Sequence, residues 1–298
     1  MDLPAILHEQ IRVHKRPELA SYTTLGVGGS APWMVEPVSK RELLLCVSEL
    51  RRACLPFRVI GGGSNLLVSD SGISEIVVYT GRMAGIEDHG SLPNALRVES
   101  GASLARLISV ARGKGLAGAE VLAGIPGTVG GAVVGNSGGR YGCMGDLVVA
   151  VTLVGEDGVC REMTTDSSDF GYRVSPFQDT VVVDAVVQLE EETPSTILER
   201  MNKVLSEKML AQPLAAKSSG CIFRNPGHAS SGRLIEEAGC KGERRGGASV
   251  SVCHGNFIVN DGSATASDVW QLILDIKQTV SKKRGEELQL EVKVWGDP

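Results

Sequence analysis

The sequence predicts an α+β protein, and three observations carry that expectation. Five short apolar segments between Glu75 and Glu190 are separated by turn formers, with space for one short helix among them. Three longer segments elsewhere place apolar residues at helical spacing. Two glycine clusters, VIGGGSNLLVSD (Val59–Asp70) and GIPGTVGGAVVGNSGGRYG (Gly124–Gly142), do not supply the strand-G-x-G-x-x-G-helix pattern of a Rossmann domain. Gly26, Gly28 and Gly29 are followed by Pro32, so they open no helix either.

In chain order, Met34–Glu36 is a first strand and Lys40–Cys54 a helix with Leu43, Leu44, Val47 and Leu50 on one stripe. Pro56 stops that helix, and Phe57–Ile60 is a strand leading into Gly61–Gly63, a β-α-β beginning. The strands Glu75–Tyr79, Ala95–Glu99 and Leu147–Val154 follow, with a helix at Leu104–Arg112. Asp157-Gly158 signals a hairpin into Val159–Met163. Thr180–Glu190 is the clearest strand, and the charged break Glu191–Pro194 marks a domain boundary. Ser195–Ala211 is helical, with Ile197, Met201, Val204 and Leu205 on one side. Phe257–Val259 is a strand ending at Asn260-Asp261-Gly262. Thr265 and Asp268 form a capping box for a helix carrying Val269, Leu272, Ile273, Ile276 and Val280. Lys282, Lys283 and Arg284 complement its C-terminal dipole, and Gly285 ends it. Leu288–Val294 alternates as a final half-buried strand.

A net charge of −5 without a basic run argues against a nucleic-acid partner. The seven cysteines are scattered, form no C-x-x-C pair, and read as reduced thiols of a cytoplasmic protein. The charged N-terminus is no signal peptide. Val121–Gly139 lacks charge but holds seven glycines and Pro126, which rejects a membrane helix. His228 and His254 have no partner spacing for a metal. Glycine is in excess, 37 of 298 residues, and concentrates in the two clusters. Loops of that kind expose successive N–H groups in a concavity that suits a pyrophosphate. Two such cradles suggest a large phosphorylated ligand, with a dinucleotide as first candidate. Their glycine content also argues against a helix or strand core there.

Eight motifs then carry a resemblance: SYTTLGVGGSAPWMVEP (Ser21–Pro37), VIGGGSNLLVSD, GIPGTVGGA, FGYRVSPF (Phe170–Phe177), SSGCIFRNP (Ser218–Pro226), GRLIEEAGCKG, NFIVN and the terminal LQLEVKVWG. Together and in this order they resemble the UDP-N-acetylenolpyruvoylglucosamine reductase (MurB) family, from about residue 20 to 296. The resemblance implies a cytoplasmic oxidoreductase with non-covalent FAD and NADPH as co-substrate. It would reduce the enolpyruvyl ether of a UDP-sugar to UDP-N-acetylmuramate, for the peptidoglycan that underlies cell shape and division. It also implies an FAD-binding fold of the vanillyl-alcohol-oxidase (PCMH) type in two subdomains, residues 1–80 joined by the C-terminal strand 286–298, and residues 81–192. A C-terminal α+β substrate domain would span 193–285. By the same resemblance Gly61, Gly62, Gly63, Ser64, Asn65, Gly124, Ile125, Pro126 and Gly127 would hold FAD. Tyr172, Arg173 and Asn225 would bind substrate, no metal would be needed, and a monomer is favoured.

Three dispersed residues would carry the chemistry. Reduction of an olefin conjugated to a carboxylate puts charge on the α-carbon and the carboxylate, so a cation must grip the carboxylate and an acid must protonate the carbon. Arg173 matches the arginine of the family's YRxS motif, and a guanidinium binds carboxylate bidentately. Glu291 matches the family's C-terminal glutamate and would polarise the carboxylate in its protonated form, which burial favours. The family's donor serine follows Ser-Ala-Gly, whereas this chain reads Ser218-Ser219-Gly220-Cys221. A thiol, with an ordinary pKa of about 8.5, is a far better acid than an alcohol. The segment after Asn136 is one residue longer than the family's Asn-Ala-Gly-x-Tyr-Gly. All four tyrosines lie at or before Tyr172, which points to the shorter subtype without a tyrosine lid loop. Two further readings stay open: an FAD-dependent oxidase of the same fold acting on an alcohol or lactone, and a flavin or UDP-sugar binding protein without turnover.

Overall fold

The computed structural model describes Leu7 and residues 11–298. Backbone contacts divide the chain into two units. One takes residues up to Lys15, Trp33–Gly62 and Glu75–Ser206; the other takes Arg16–Pro32, Gly63–Ser74 and Glu207–Pro298.

The first unit holds two sheets. One has the order Arg12–Lys15, Trp33–Glu36, Ile76–Tyr79, Phe57–Ile60, and its last three strands run parallel. Helix α1 (Lys40–Arg52) joins Trp33–Glu36 to Phe57–Ile60, the two strands that flank Ile76–Tyr79, by a crossover of the kind that parallel strands need. Ser39 caps α1 by accepting from the Glu42 N–H at 3.3 Å, and Leu43, Cys46, Val47 and Leu50 are its buried stripe. Cys46 takes the place expected for Leu44, which is only partly covered.

The other sheet is antiparallel, in the order Cys160–Thr164, Val148–Val154, Val181–Gln188, Ala95–Glu99, Ile86–Asp88. Its central strand is buried from Val181 to Val187, which is why that segment reads as an apolar run with a single charged residue in it. Val182, Ala185 and Val187 belong to the same apolar core as Leu104, Leu107 and Ile108 of helix α2 (Leu104–Gly113), while Val181 and Val183 belong to the core that holds Leu43 and Val47 of α1. Asp184 interrupts the run as a charge, and it is neutralised by Arg97 at 2.6 Å and the Thr152 hydroxyl at 2.8 Å. The Asp157-Gly158 hairpin is formed as expected, pairing Val154 with Cys160.

One expectation fails here. Within the glycine-rich run, Val129–Gly135 is a helix, α3. Thr128 caps it through the Gly131 N–H, and Asn136 ends it at φ +42°. Glycine is weak in a helix by propensity, but tertiary packing decides this one. A Cβ on Gly130 would lie 2.7 Å from the Cβ of Ser100, so only glycine lets the helix approach that strand end. Helix α4 (Pro194–Ala211) buries Ile197 and Val204.

In the second unit an antiparallel sheet has the order Lys217–Cys221, Phe257–Asn260, Ala248–Val250, Arg244–Arg245. Helices α5 (Ser231–Glu237) and α6 (Ala266–Arg284) cover it, with Val269, Leu272, Ile273, Ile276 and Val280 of α6 in the core. The capping box is formed, with Asp268 N–H donating to the Thr265 hydroxyl at 3.0 Å, and Gly285 closes α6 at φ +68°. Asp70 adds a second cap, accepting from the Ala266 and Ser267 N–H groups at 2.7 and 2.9 Å. The terminal strand is shorter than expected. Only Lys293–Trp295 is regular, pairing parallel with Leu66–Val68, because Glu291 and Val292 turn their N–H groups to the carbonyl of Ile222.

Candidate active site

In the first unit the two glycine clusters meet. A Cβ on Gly62 would lie 2.8 Å from the Cα of Gly127, and one on Gly61 would collide with the Thr128 hydroxyl. Gly127 has φ +123° and Gly124 φ +76°. Bare backbone on both sides is thus a condition of the contact, and Ile125 and Pro126 sit in the same loop. Backbone without side chains on both loops is what a cradle for a pyrophosphate requires.

Downstream of α3 the chain forms the turn that carries Arg173. Gly171 and Val174 exchange both backbone hydrogen bonds, at 3.0 and 3.1 Å, around Tyr172-Arg173. Arg173 has φ +56°, a conformation that costs a residue with a Cβ about 1–2 kcal/mol. Its guanidinium donates to the Gly138 carbonyl at 3.2 Å and lies 5.7 Å from the Tyr172 ring, within cation–π range. Ser175 explains the serine of YRxS. Buried, it donates to the Val134 carbonyl at 3.0 Å and accepts from the Phe177 N–H, tying the turn to α3.

Cys221 and Glu291 belong to the second unit, and the structure brings them together although 70 positions separate them in the chain. Cys221 ends the strand Lys217–Cys221, whose pairing is broken between Ser218 and Cys221 where Gly220 has φ +75°. That break leaves the thiol half-buried. The next residue, Ile222, accepts the Glu291 N–H at 2.8 Å, so thiol and carboxyl branch from adjoining backbone. Asn256 holds the same stretch. Its Oδ1 accepts from Phe223 N–H at 2.9 Å, its Nδ2 donates to Phe223 C=O at 2.8 Å, and its own carbonyl accepts from Ile222 N–H at 2.9 Å. His254 Nδ1 in turn accepts from the Asn256 N–H at 3.1 Å. Burial, with Lys241 nearby, lowers the His254 pKa, which favours the neutral ring that accepts at Nδ1.

Gly61 and Gly62 belong to the first unit, and Gly63, Ser64 and Asn65 to the second. Gly63, at φ +57°, faces the backbone of Tyr22 and Thr23, and its carbonyl accepts from Thr24 N–H at 3.2 Å. Asn65 donates to the Glu291 carbonyl at 3.2 Å, so one residue expected at the cofactor also fixes the glutamate. Asn225 is exposed, with Oδ1 capping α5 through the Ser231 N–H at 2.9 Å. Asn136, Ser175 and Asn256 were not singled out from the sequence. For the first, a signal exists only once α3 is known, because the position that ends a helix favours a left-handed residue such as asparagine.

Comparison with known proteins gives these features a context. Residues 31–164 match the family described as FAD binding domain, and residues 212–295 match the UDP-N-acetylenolpyruvoylglucosamine reductase C-terminal domain. A UDP-N-acetylenolpyruvoylglucosamine reductase of Moorella thermoacetica is 40% identical, covering all of this chain and 99% of that protein. Its counterpart in Bacillus subtilis is 39% identical over 93% of this chain and 92% of its own length. The crystal structure of the enzyme from Thermus caldophilus superposes with a TM-score of 0.80 at 40% identity, covering 96% of this chain and all of that one. The fold is the FAD-binding type with a C-terminal α+β part that the motifs implied. With full-length identity at this level, the chain belongs to the UDP-N-acetylenolpyruvoylglucosamine reductase family.

Proposed function

We propose that this protein reduces UDP-N-acetylenolpyruvoylglucosamine to UDP-N-acetylmuramate with NADPH, on FAD held at the glycine loops. Family membership supports the reaction. The meeting of Cys221 and Glu291 at Ile222 is the observation that carries the residue assignment. FAD when bound supplies the hydride for the substrate's β-carbon, replenished by NADPH. Arg173 grips the substrate carboxylate, and its permanent charge offsets the negative charge that builds there. Glu291 would donate a hydrogen bond to the same group in its protonated form, the only one in which a carboxyl has a proton to give. The Cys221 S–H gives its proton to the α-carbon, completing the saturated product, and the thiolate regains a proton from solvent. Tyr172 and Asn225 bind the UDP-sugar. Gly61–Asn65 and Gly124–Gly127 hold the cofactor by backbone, using N–H groups other than that of Ile125, which donates to Leu122, and at Pro126, which has none, by shape alone.

Residues 1–80 with 286–298, 81–192 and 193–285 are the proposed working divisions, in a cytoplasmic monomer. Among the described residues no helix is long and apolar enough to cross a membrane. The test is anaerobic. NADPH should bleach the bound flavin, and the enolpyruvyl substrate should restore its absorbance in one equivalent. Bleaching without restoration overturns the reading.

A further inference from the structure

We infer that Asn136 is the positioning residue for Arg173: its buried carboxamide holds the turn on which the guanidinium is presented. The inference rests on the reductase reading above and adds a residue to it. Arg173 sits in a left-handed conformation in a two-residue turn, and such a conformation persists only where its surroundings impose it. Apolar packing does not impose it, because Tyr172 and Val174 on either side are 56% and 46% exposed. Polar contacts do. Asn136 Nδ2 donates to the Gly171 carbonyl at 2.8 Å, from a residue only 5% exposed. The Gln178 amide, which donates to the Arg173 carbonyl, is exposed and longer at 3.3 Å.

The other end of the carboxamide is also occupied. Oδ1 accepts from the buried Gly145 N–H at 2.9 Å, so flipping the amide would set oxygen against oxygen and nitrogen against nitrogen. Asn136 itself is left-handed, at φ +42°, as the residue that ends α3. Glycine would end that helix with less strain. What asparagine adds is the carboxamide, and both of its ends are in use. One residue thereby couples the helix that follows the GIPG loop to the turn that bears the arginine.

Two substitutions separate this from a structural role. Asn136→Asp tolerates the left-handed backbone and keeps the acceptor for Gly145, but its carboxylate cannot donate to Gly171. Asn136→Gly keeps the backbone and removes both bonds. With FAD-loaded protein, each should lower kcat/KM about ten- to a hundredfold, the scale of a misplaced binding group. The loss should fall mainly on kcat, because the arginine matters most as charge builds. The calorimetric Kd for UDP-N-acetylmuramate should rise several-fold. In an Arg173→Ala background, Asn136→Asp should change kcat/KM by no more than about twofold, since residues acting through one another are not additive. Unchanged kinetics, additive losses, or loss of the fold in both variants overturns the proposal. Wild-type protein that neither turns over nor binds the product sinks the reductase reading itself.

Discussion

Asn256→Ala tests the backbone that supports the candidate thiol. The substitution strips two hydrogen bonds from Phe223, whose side chain is 1% exposed, and Asn256 itself is 2% exposed. Water does not reach either orphaned group. An unsatisfied buried donor or acceptor costs about 1–3 kcal/mol. Two of them, less the cost of burying the amide that is relieved, predict a loss of about 3 kcal/mol. Asn256→Asp keeps the acceptor for the Phe223 N–H and loses only the donor, so it should be milder. Fluorescence can read this locally. Trp270 and Trp295 lie in the second unit and Trp33 in the first, so a Trp33→Phe background reports the second unit alone. With a urea slope of about 1–3 kcal/mol per molar, the midpoint should fall by about 1 M or more. Turnover of the folded variant should fall as well, because Ile222 and Phe223 directly follow Cys221. A midpoint within about 0.3 M of the parent, less than about 1 kcal/mol at that slope, refutes the claim that Asn256 supports this strand.

Three other outcomes follow from the same geometry. Ser219→Ala should stabilise the protein by about 1 kcal/mol, because the Ser219 hydroxyl is buried with no hydrogen-bond partner among the described residues; a destabilised variant would reveal a partner outside them. For Asp70, burial pushes the pKa up, but bonds from Ser267 and Ala266 outweigh it and hold the carboxyl below its ordinary 3.8. Its stabilisation is therefore full above that value and lost as pH falls through the lower folded one, so the melting gap between wild type and Asp70→Asn should be flat near neutrality and close in acid. Cys221→Ala should leave flavin bleaching by NADPH intact and slow flavin reoxidation by substrate about a hundredfold or more, whereas Cys221→Ser retains measurable reoxidation; equal rates in the alanine variant remove the thiol from the mechanism.

The elements legible in the sequence are those whose signals are local. Helix α6 has its cap, stripe and stop within twenty-one residues, and the Asp157-Gly158 turn dictates the hairpin around it. Helix α3 was hidden because its warrant is remote: Gly130 is there for Ser100, thirty positions earlier, and composition alone argued for a loop. The strand Lys217–Cys221 was hidden for a related reason, as the break at Gly220 destroys the alternation that marks a strand. The reacting residues were legible through motifs, but their supports were not. Asn65 reaches Glu291 and Asn256 reaches Phe223, and no spacing rule connects such pairs.

Those supports share one chemistry, and the reason lies in the backbone. Arg173 stands in a left-handed turn, Cys221 directly follows a left-handed glycine, and Glu291 lies just before the regular strand Lys293–Trp295. Irregular backbone aims side chains where ladders would not, but it leaves N–H and C=O groups without sheet partners. Buried, those groups must be satisfied from within. A carboxamide carries one donor end and one acceptor end, as a peptide group does, and can stand in for the missing strand. Asn136 does so at Gly171 and Gly145, Asn256 at both groups of Phe223, and Asn65 at the Glu291 carbonyl. Aspartate copies the shape of asparagine but not the donor. Each Asn→Asp change should therefore hurt the side chain it supports more than its size alone would suggest. Glutamine, one methylene longer, should fail by geometry instead, since each amide here is held within 2.8–3.2 Å of fixed backbone.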